Sequence, residues 1–225
     1  MKKRILALLL LLIFALAACT SDSGFTKEGK DPNSARPTRG AAARQGSEDD
    51  GVDIGAIDGN TYRHVTLGVC ASFPGDWTLR DGALIADGQD SLDRAATADA
   101  VEAGQEVTVF SAADPTLRSR VTLSVSKNPL PGEDADALVN YFAPLVRTSY
   151  HESASAEPAA CDPVDVDFCE EDHVVLAITH EKVGLATVYE KIMYLPEGEL
   201  LYTLIVSTES EDTTAALLSL FETIR

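Results

Sequence analysis

Hydrophobic and polar positions divide the chain into three stretches. Ile5 to Ala18 is an unbroken apolar run. From Thr20 to about Asp58 the apolar residues follow no period, Phe25 is the only aromatic, and Gly, Ser, Ala, Asp and Arg dominate. That stretch reads as a disordered linker whose 39 residues span about 35 Å as a flexible coil. Periodicity sets in near residue 61. Leu67, Val69, Ala71 and Phe73 alternate with Gly68, Cys70 and Ser72, which predicts a strand, and Pro74-Gly75 closes it. Short strands follow over Trp77–Leu79 and Leu84–Ala86, and the Ala- and Asp-rich segment Ser91–Ala103 reads as a weak helix or a mobile loop. Glu106–Ser111 and Arg118–Ser126 are strands, the second setting Val121, Leu123 and Val125 against Thr122, Ser124 and Ser126.

A helix is predicted from about Asp134 to Thr148, with Leu138, Tyr141, Phe142, Leu145 and Val146 as its apolar stripe. Pro144 lacks a backbone donor and should kink or shorten it. Strands are predicted at His173–His180, Leu185–Tyr194 and Leu200–Ser207, joined at Lys182-Val183-Gly184 and Pro196-Glu197-Gly198. The last element reads as a helix from Asp212 to Ile224, N-capped by Ser210, burying Leu217, Leu218, Leu220, Phe221 and Ile224. Antiparallel runs with inserted and appended helices make an α+β fold, an antiparallel β-sheet flanked by helices and preceded by a disordered linker.

The first twenty residues carry an address. Lys2, Lys3 and Arg4 precede the apolar run, which is shorter than the ~20 residues that cross a hydrocarbon core, so the segment reads as a secretory signal. Leu16-Ala17-Ala18-Cys19 resembles the lipobox of bacterial lipoproteins. The resemblance implies cleavage of residues 1–18, a diacylglyceryl group on the Cys19 sulfur and acylation of the new amino terminus. The lipid bilayer is then a partner through acylated Cys19, because each buried CH₂ contributes about 0.8 kcal/mol and two or three chains hold firmly. Thr20, rather than Asp, after the cysteine favours the outer membrane in a Gram-negative cell. The alternative is an ordinary signal peptide with Cys19 incidental.

Composition narrows the function classes. The chain has 18 Lys+Arg against 36 Asp+Glu, a formal net charge of −18, and losing residues 1–18 leaves 15 against 36, or −21. Such a surface repels nucleic acid and anionic lipid, so no nucleic-acid partner is expected and lipid alone must supply the anchor. A hydrophobic content of 45% excludes a wholly disordered chain, and four cysteines are too few for a disulfide scaffold. The organisation is therefore a signal peptide over 1–18, the lipidated cysteine and linker over 19–60, and one domain over 61–225.

Val69-Cys70-Ala71-Ser72-Phe73-Pro74-Gly75-Asp76-Trp77 resembles the aromatic-Pro-x-x-Trp opening of PsbP-like proteins, a superfamily that includes Mog-type proteins and bacterial lipoproteins. Val188-Tyr189, Tyr202-Thr203-Leu204 and the closing Phe221-Glu222-Thr223-Ile224 extend the likeness over about 61–225. The resemblance implies an α/β/α sandwich used for docking and assembly. It carries over no catalytic residue, and the lipobox and acidic linker depart from the photosystem members.

Chemistry is sparse. The sequence has no Gly-x-Ser-x-Gly, His-Glu-x-x-His, Cys-x-x-Cys or phosphate-cradling loop, and no cofactor is implied. His64, His151, His173 and His180 are scattered and read as exposed or hydrogen-bonded residues at strand ends. Asp50-Gly51-Val52-Asp53 and Asp58-Gly59-Asn60 lack the spacing of a calcium loop and read as linker turns. Asp162, Asp165, Asp167, Glu170, Glu171 and Asp172 crowd one segment, a weak calcium site in one reading and a solvated acidic loop in the other. Asp165-Val166-Asp167-Phe168 also fits an edge strand with its charges outward. Of the three cysteines left after lipidation, Cys161 and Cys169 are the first choice for a disulfide, and Cys70 bonded to one of them is the second.

The function expected is a membrane-anchored bacterial lipoprotein presenting a non-catalytic binding or assembly domain at the cell envelope to a protein partner. The alternatives are a calcium-tuned surface protein and an extracytoplasmic enzyme without a recognisable motif. A binding module predicts an exposed apolar patch, and an enzyme predicts a cavity where a His meets a carboxylate.

Overall fold

The computed structural model describes residues 52–85, 94–154, 160–181 and 186–224, without the side chains of 82–85 and 151–154. The signal segment, Cys19 and the linker up to residue 51 lie outside the described residues, as does the Lys182-Val183-Gly184 turn.

The fold is α+β, and every strand pairing is antiparallel. A small sheet is made by β1 (Ala56–Asp58), β2 (Thr61–His64), β3 (Val69–Ser72) and β11 (Phe221–Thr223), in the order β1-β2-β3-β11. The large sheet holds β4 (Thr78–Ile85), β5 (Val107–Ala113), β6 (Ser119–Lys127), β7 (Ala160–Phe168), β8 (Glu171–Glu181), β9 (Thr187–Glu197) and β10 (Leu200–Glu209). Its order is β4-β5-β6-β10-β9-β8-β7. Three helices lie among the described residues: α1 (Arg94–Glu102), α2 (Ala135–Ala154) and the five-residue α3 (Thr214–Leu218).

Two cores lie on opposite faces of the large sheet. Alternation explains the split, because successive residues of a strand point to opposite sides. On β10, Tyr202, Leu204 and Val206 enter one core, whereas Leu201 and Ile205 enter the other. The first core joins Val107, Phe110, Val121, Leu123 and Val125 to Tyr62, Val69, Ala71, Phe73 and Phe221 of the small sheet, with contributions from α1 and α3. Phe110 stacks on Tyr62 with ring centroids 3.9 Å apart. The second core is the stripe of α2, with Leu138, Val139, Val146 and Tyr150 packed on Cys161, Leu176, Ile178 and Ile192. The layer opposite α2 is thus built chiefly by the small sheet, with two short helices beside it.

Several elements differ from the sequence reading. Residues 52–58 belong to the domain: Val52 is buried and β1 pairs with β2, so the fold begins before residue 61. The strands predicted at 77–79 and 84–86 are one strand, β4, with a register shift between Asp81 and Leu84. The helix α2 runs through Pro144 to Ala154 instead of stopping near Thr148. Thr148 donates its hydroxyl to the Pro144 carbonyl at 2.8 Å within that helix. The predicted terminal helix over 212–224 is replaced by α3 and β11. Ser210 caps nothing; Asp212 accepts from the Thr214 backbone at 3.1 Å. A helix continuing through Phe221 would leave the edge of β3 unpaired, whereas Phe221, Glu222 and Thr223 pair with Ala71, Cys70 and Val69.

The acidic segment is a hairpin. β7 is the edge strand of the large sheet, and Asp162, Asp165 and Asp167 are exposed along it, which is the edge-guarding arrangement. Cys169 and Glu170 form its two-residue turn with φ of 56° and 67°. This geometry corrects the Cys161–Cys169 disulfide. The two residues bracket a fully extended strand, eight residues at about 3.3 Å each, far beyond the ~7 Å that a disulfide bridges between Cα atoms. Cys70, Cys161 and Cys169 are unbridged in this structure.

Candidate functional site

Helix α2 packs chiefly over β7, β8 and β9, so it covers one part of its sheet face. Beneath it the face is aliphatic and aromatic. Beyond it, β5, β6 and β10 present the polar half of their alternation: Ser124, Ser126 and Thr203 stand on the opposite side from Val125, Tyr202 and Leu204. A cleft of about 320 Å³ opens along this seam. Its walls are Phe142 and Val146 of α2 with Ile192, Tyr194 and Leu201 of the sheet, and Phe142 stacks on Tyr194 at 4.6 Å. Glu106, Ser126 and Thr203 supply polar atoms, and Lys127 and Asn128 stand among the lining residues.

Glu106 sets the chemistry of the cleft. It immediately precedes β5, and its Oε1 accepts a hydrogen bond from the Ser124 hydroxyl at 2.5 Å. Burial pushes its carboxyl up to about 7, against the lowering effect of the Ser124 bond. The residue as a whole retains partial contact with solvent. Near neutral pH the group is therefore divided between a neutral acid that donates and an anion that only accepts. Tyr194 is raised above the usual phenol range by burial and then by the Glu106 charge, so its hydroxyl remains a donor. An apolar wall facing a hydroxyl-rich floor with one protonatable carboxyl suits a small molecule that has an apolar body and one hydrogen-bonding end.

Among the described residues three histidines stand near carboxylates, His64, His173 and His180, and two of these pairs are largely buried. On the same face as the cleft, the Tyr150 hydroxyl donates to Glu190 Oε2, and His180 Nε2 stands 3.6 Å from that oxygen. Burial and the Glu190 charge lift the Tyr150 phenol well above its ordinary range. Glu190 and Tyr150 are both buried, so a substrate has little access to the carboxylate. On the other face His64 is completely buried. Its Nδ1 accepts from the Leu67 backbone at 3.2 Å and its Nε2 donates to the Asp53 carbonyl at 3.1 Å, an arrangement of the neutral ring. The Asp53 carboxylate accepts from the backbones of Gly55 at 3.0 Å and Thr66 at 2.9 Å, and from Arg94 at 3.2 Å. Tyr202 donates to the Asp53 carbonyl at 3.0 Å. Burial acts to raise the Asp53 carboxyl, but the backbone donors of Thr66 and Gly55 and the Thr66 hydroxyl outweigh it and hold the group below its usual range. Asp53 thus fastens the first described residues to the body.

The remaining sequence candidates are dispersed. Asp165, Asp167 and Glu170 line a second cavity of about 970 Å³ together with Cys70, Cys169, Glu222, Arg63 and Lys191. Asp162 points to Arg147 at 3.9 Å, and Glu171 to His173 at 4.0 Å. Asp172 faces Asp167 across the hairpin. Among the described residues no group of three or more His, Cys, Asp or Glu is arranged to hold a metal ion. The His151 side chain and Cys19 lie outside the described part. Sequence reasoning missed Glu106, Asp53 and the Tyr150–Glu190 pair. Only Glu106 left a signal, an acid at the head of a strand whose neighbour alternates Val and Leu with hydroxyls.

No helix among the described residues is long and apolar enough to cross a membrane. No protein-family model matches the chain, and no curated protein matches its sequence. Solved structures similar in part include three of note. A protein from Bacteroides thetaiotaomicron is 11% identical with a TM-score of 0.39, covering 75% of this chain and 50% of its own. This chain therefore spans about half the length of that protein. Cyanobacterial PsbP (CyanoP) from Synechocystis is 13% identical with a TM-score of 0.40, covering 72% of this chain and 91% of its own. LpqN, involved in cell envelope biogenesis of Mycobacterium tuberculosis, is 13% identical with a TM-score of 0.32, covering 67% of this chain and 75% of its own. Likeness at this level shows no family and transfers no residue role or activity.

Proposed function

We propose that this chain is a bacterial lipoprotein, acylated on Cys19, that presents a non-catalytic binding domain on the extracytoplasmic side of a membrane. The cleft beside α2 receives its ligand, a small molecule with an apolar body and one hydrogen-bonding end. The lipobox-like Leu16-Ala17-Ala18-Cys19 supports the anchor. The observation that carries the binding role is the cleft itself, aromatic and aliphatic on one wall and closed by the Glu106 carboxyl and its hydroxyl neighbours. The His180–Glu190 contact is the feature an enzyme would need, but Tyr150 and the surrounding core enclose its carboxylate. It is a packed hydrogen-bond cluster in this reading. Asp162, Asp165 and Asp167 of the hairpin guard a sheet edge.

Titration of the chain from residue 19 with a dansyl-labelled fatty acid tests the cleft. Saturable binding at one site is expected, weakened at least tenfold by Ser126→Trp, whose indole would occupy the floor. Absence of saturable binding, or equal binding by that variant, would overturn the assignment.

A further inference from the structure

We propose that Cys70 and Cys169 are a disulfide-forming pair that straps the small sheet to the far edge of the large one, while Cys161 stays a buried thiol. Cys70 lies on β3 with its side chain turned away from the core that Val69 and Ala71 enter, and its partners across the small sheet are Arg63 and Glu222. Cys169 opens the turn between β7 and β8. Both sulfur-bearing residues line the same cavity of about 970 Å³ and both are partly exposed.

One short link in β11 joins their surroundings. Glu222 faces Cys70, and the next residue, Thr223, donates its hydroxyl to the Cys169 carbonyl at 3.2 Å. Of the charges that act on the Cys169 thiol, Cys70 comes before Glu171, Asp167 and Glu222. Cys161 is excluded by placement. It is buried in the core under α2, and its carbonyl accepts from Arg147 at 2.7 Å. The pairing also accounts for the odd number of cysteines left once Cys19 is acylated.

Formation is thiol–disulfide exchange. One cysteine thiolate attacks a sulfur of an external disulfide and displaces one thiol. The second thiolate then attacks the mixed disulfide and displaces the other. Two electrons and two protons leave the protein, and the external disulfide becomes two thiols. Burial lifts the Cys169 thiol to about 11, which keeps its thiolate scarce at neutral pH and makes uncatalysed exchange slow.

The test has two arms. Mature protein is extracted without reductant, alkylated, and digested at basic and acidic residues, because Asp162, Asp165 and Asp167 separate Cys161 from Cys169. A Cys70 peptide joined to a Cys169 peptide, with Cys161 alkylated, is expected. In the second arm the purified chain from residue 19, carrying Cys19→Ala, is treated with oxidised glutathione. Its melting temperature should rise by about 10 °C for a closed loop of this length. The rise should vanish in Cys70→Ser and in Cys169→Ser and persist in Cys161→Ala. Three alkylated thiols after oxidation, or Cys70 joined to Cys161, would overturn the pairing. Protein that is reduced in cells yet oxidises with glutathione supports the pair and counts against an oxidising compartment, which separates this inference from the envelope reading.

Discussion

Gly55 has φ of +68°, and a Cβ there would stand 2.3 Å from the Tyr62 hydroxyl and 2.5 Å from its ring. Tyr62 is completely buried against Phe110 and cannot retreat. Gly55→Ala should therefore cost about 2–4 kcal/mol, from the left-handed backbone and the overlap together, measurable by urea unfolding. Two titratable side chains work against each other at this scale. Burial depresses His64 below its ordinary 6.5, so its contribution is complete above that value and is lost as pH falls through the depressed one. Glu106 is raised from 4.5 to about 7, so its contribution is complete below 4.5 and is lost as pH rises through 7. Between pH 5 and 8 the loss from Glu106 should reach about 2 kcal/mol, reduced from the full shift where the residue still touches water. Unfolding measured across that range should show the alkaline decline in the native chain and not in Glu106→Gln.

Elements were legible where one face alone is buried. Val69, Ala71 and Phe73 alternate because the small sheet has a single core side, and the α2 stripe shows because one helix face carries the second core. The terminal segment misled because Leu217, Leu218, Leu220 and Phe221 satisfy a helical stripe equally well, and only the waiting edge of β3 decides for β11. Asp53 was hidden for a different reason, since its partners Thr66, Arg94 and Tyr202 are remote in sequence and its neighbours have linker composition. The cleft depends on how far α2 extends across the sheet, which no local pattern encodes. Pro144 gives a prediction at this scale. It is exposed inside α2 and supplies no N–H, so Pro144→Ala adds a helical hydrogen bond without removing core packing. A stability gain of about 1–3 kcal/mol is expected by thermal or urea unfolding.

For the whole molecule, charge and anchor make a joint prediction. Residues 19–225 carry a formal −21, which gives that stretch no electrostatic affinity of its own for anionic lipid. On the proposed acylation, Cys19→Ala should move the protein entirely from the membrane fraction to the aqueous fraction on detergent partitioning, and intact mass should show acyl chains only in the native chain. The small sheet gives this arrangement a mechanical meaning. Its order is β1-β2-β3-β11, so the first and last strands of the domain form its two edges, and Asp53 ties the entering chain to residues as distant as Tyr202. If the chain is held through an acylated Cys19 as proposed, a tug from that side reaches this knot before the seven-stranded body. The small sheet is the buckle of the harness, and a pulling experiment should find it yielding first.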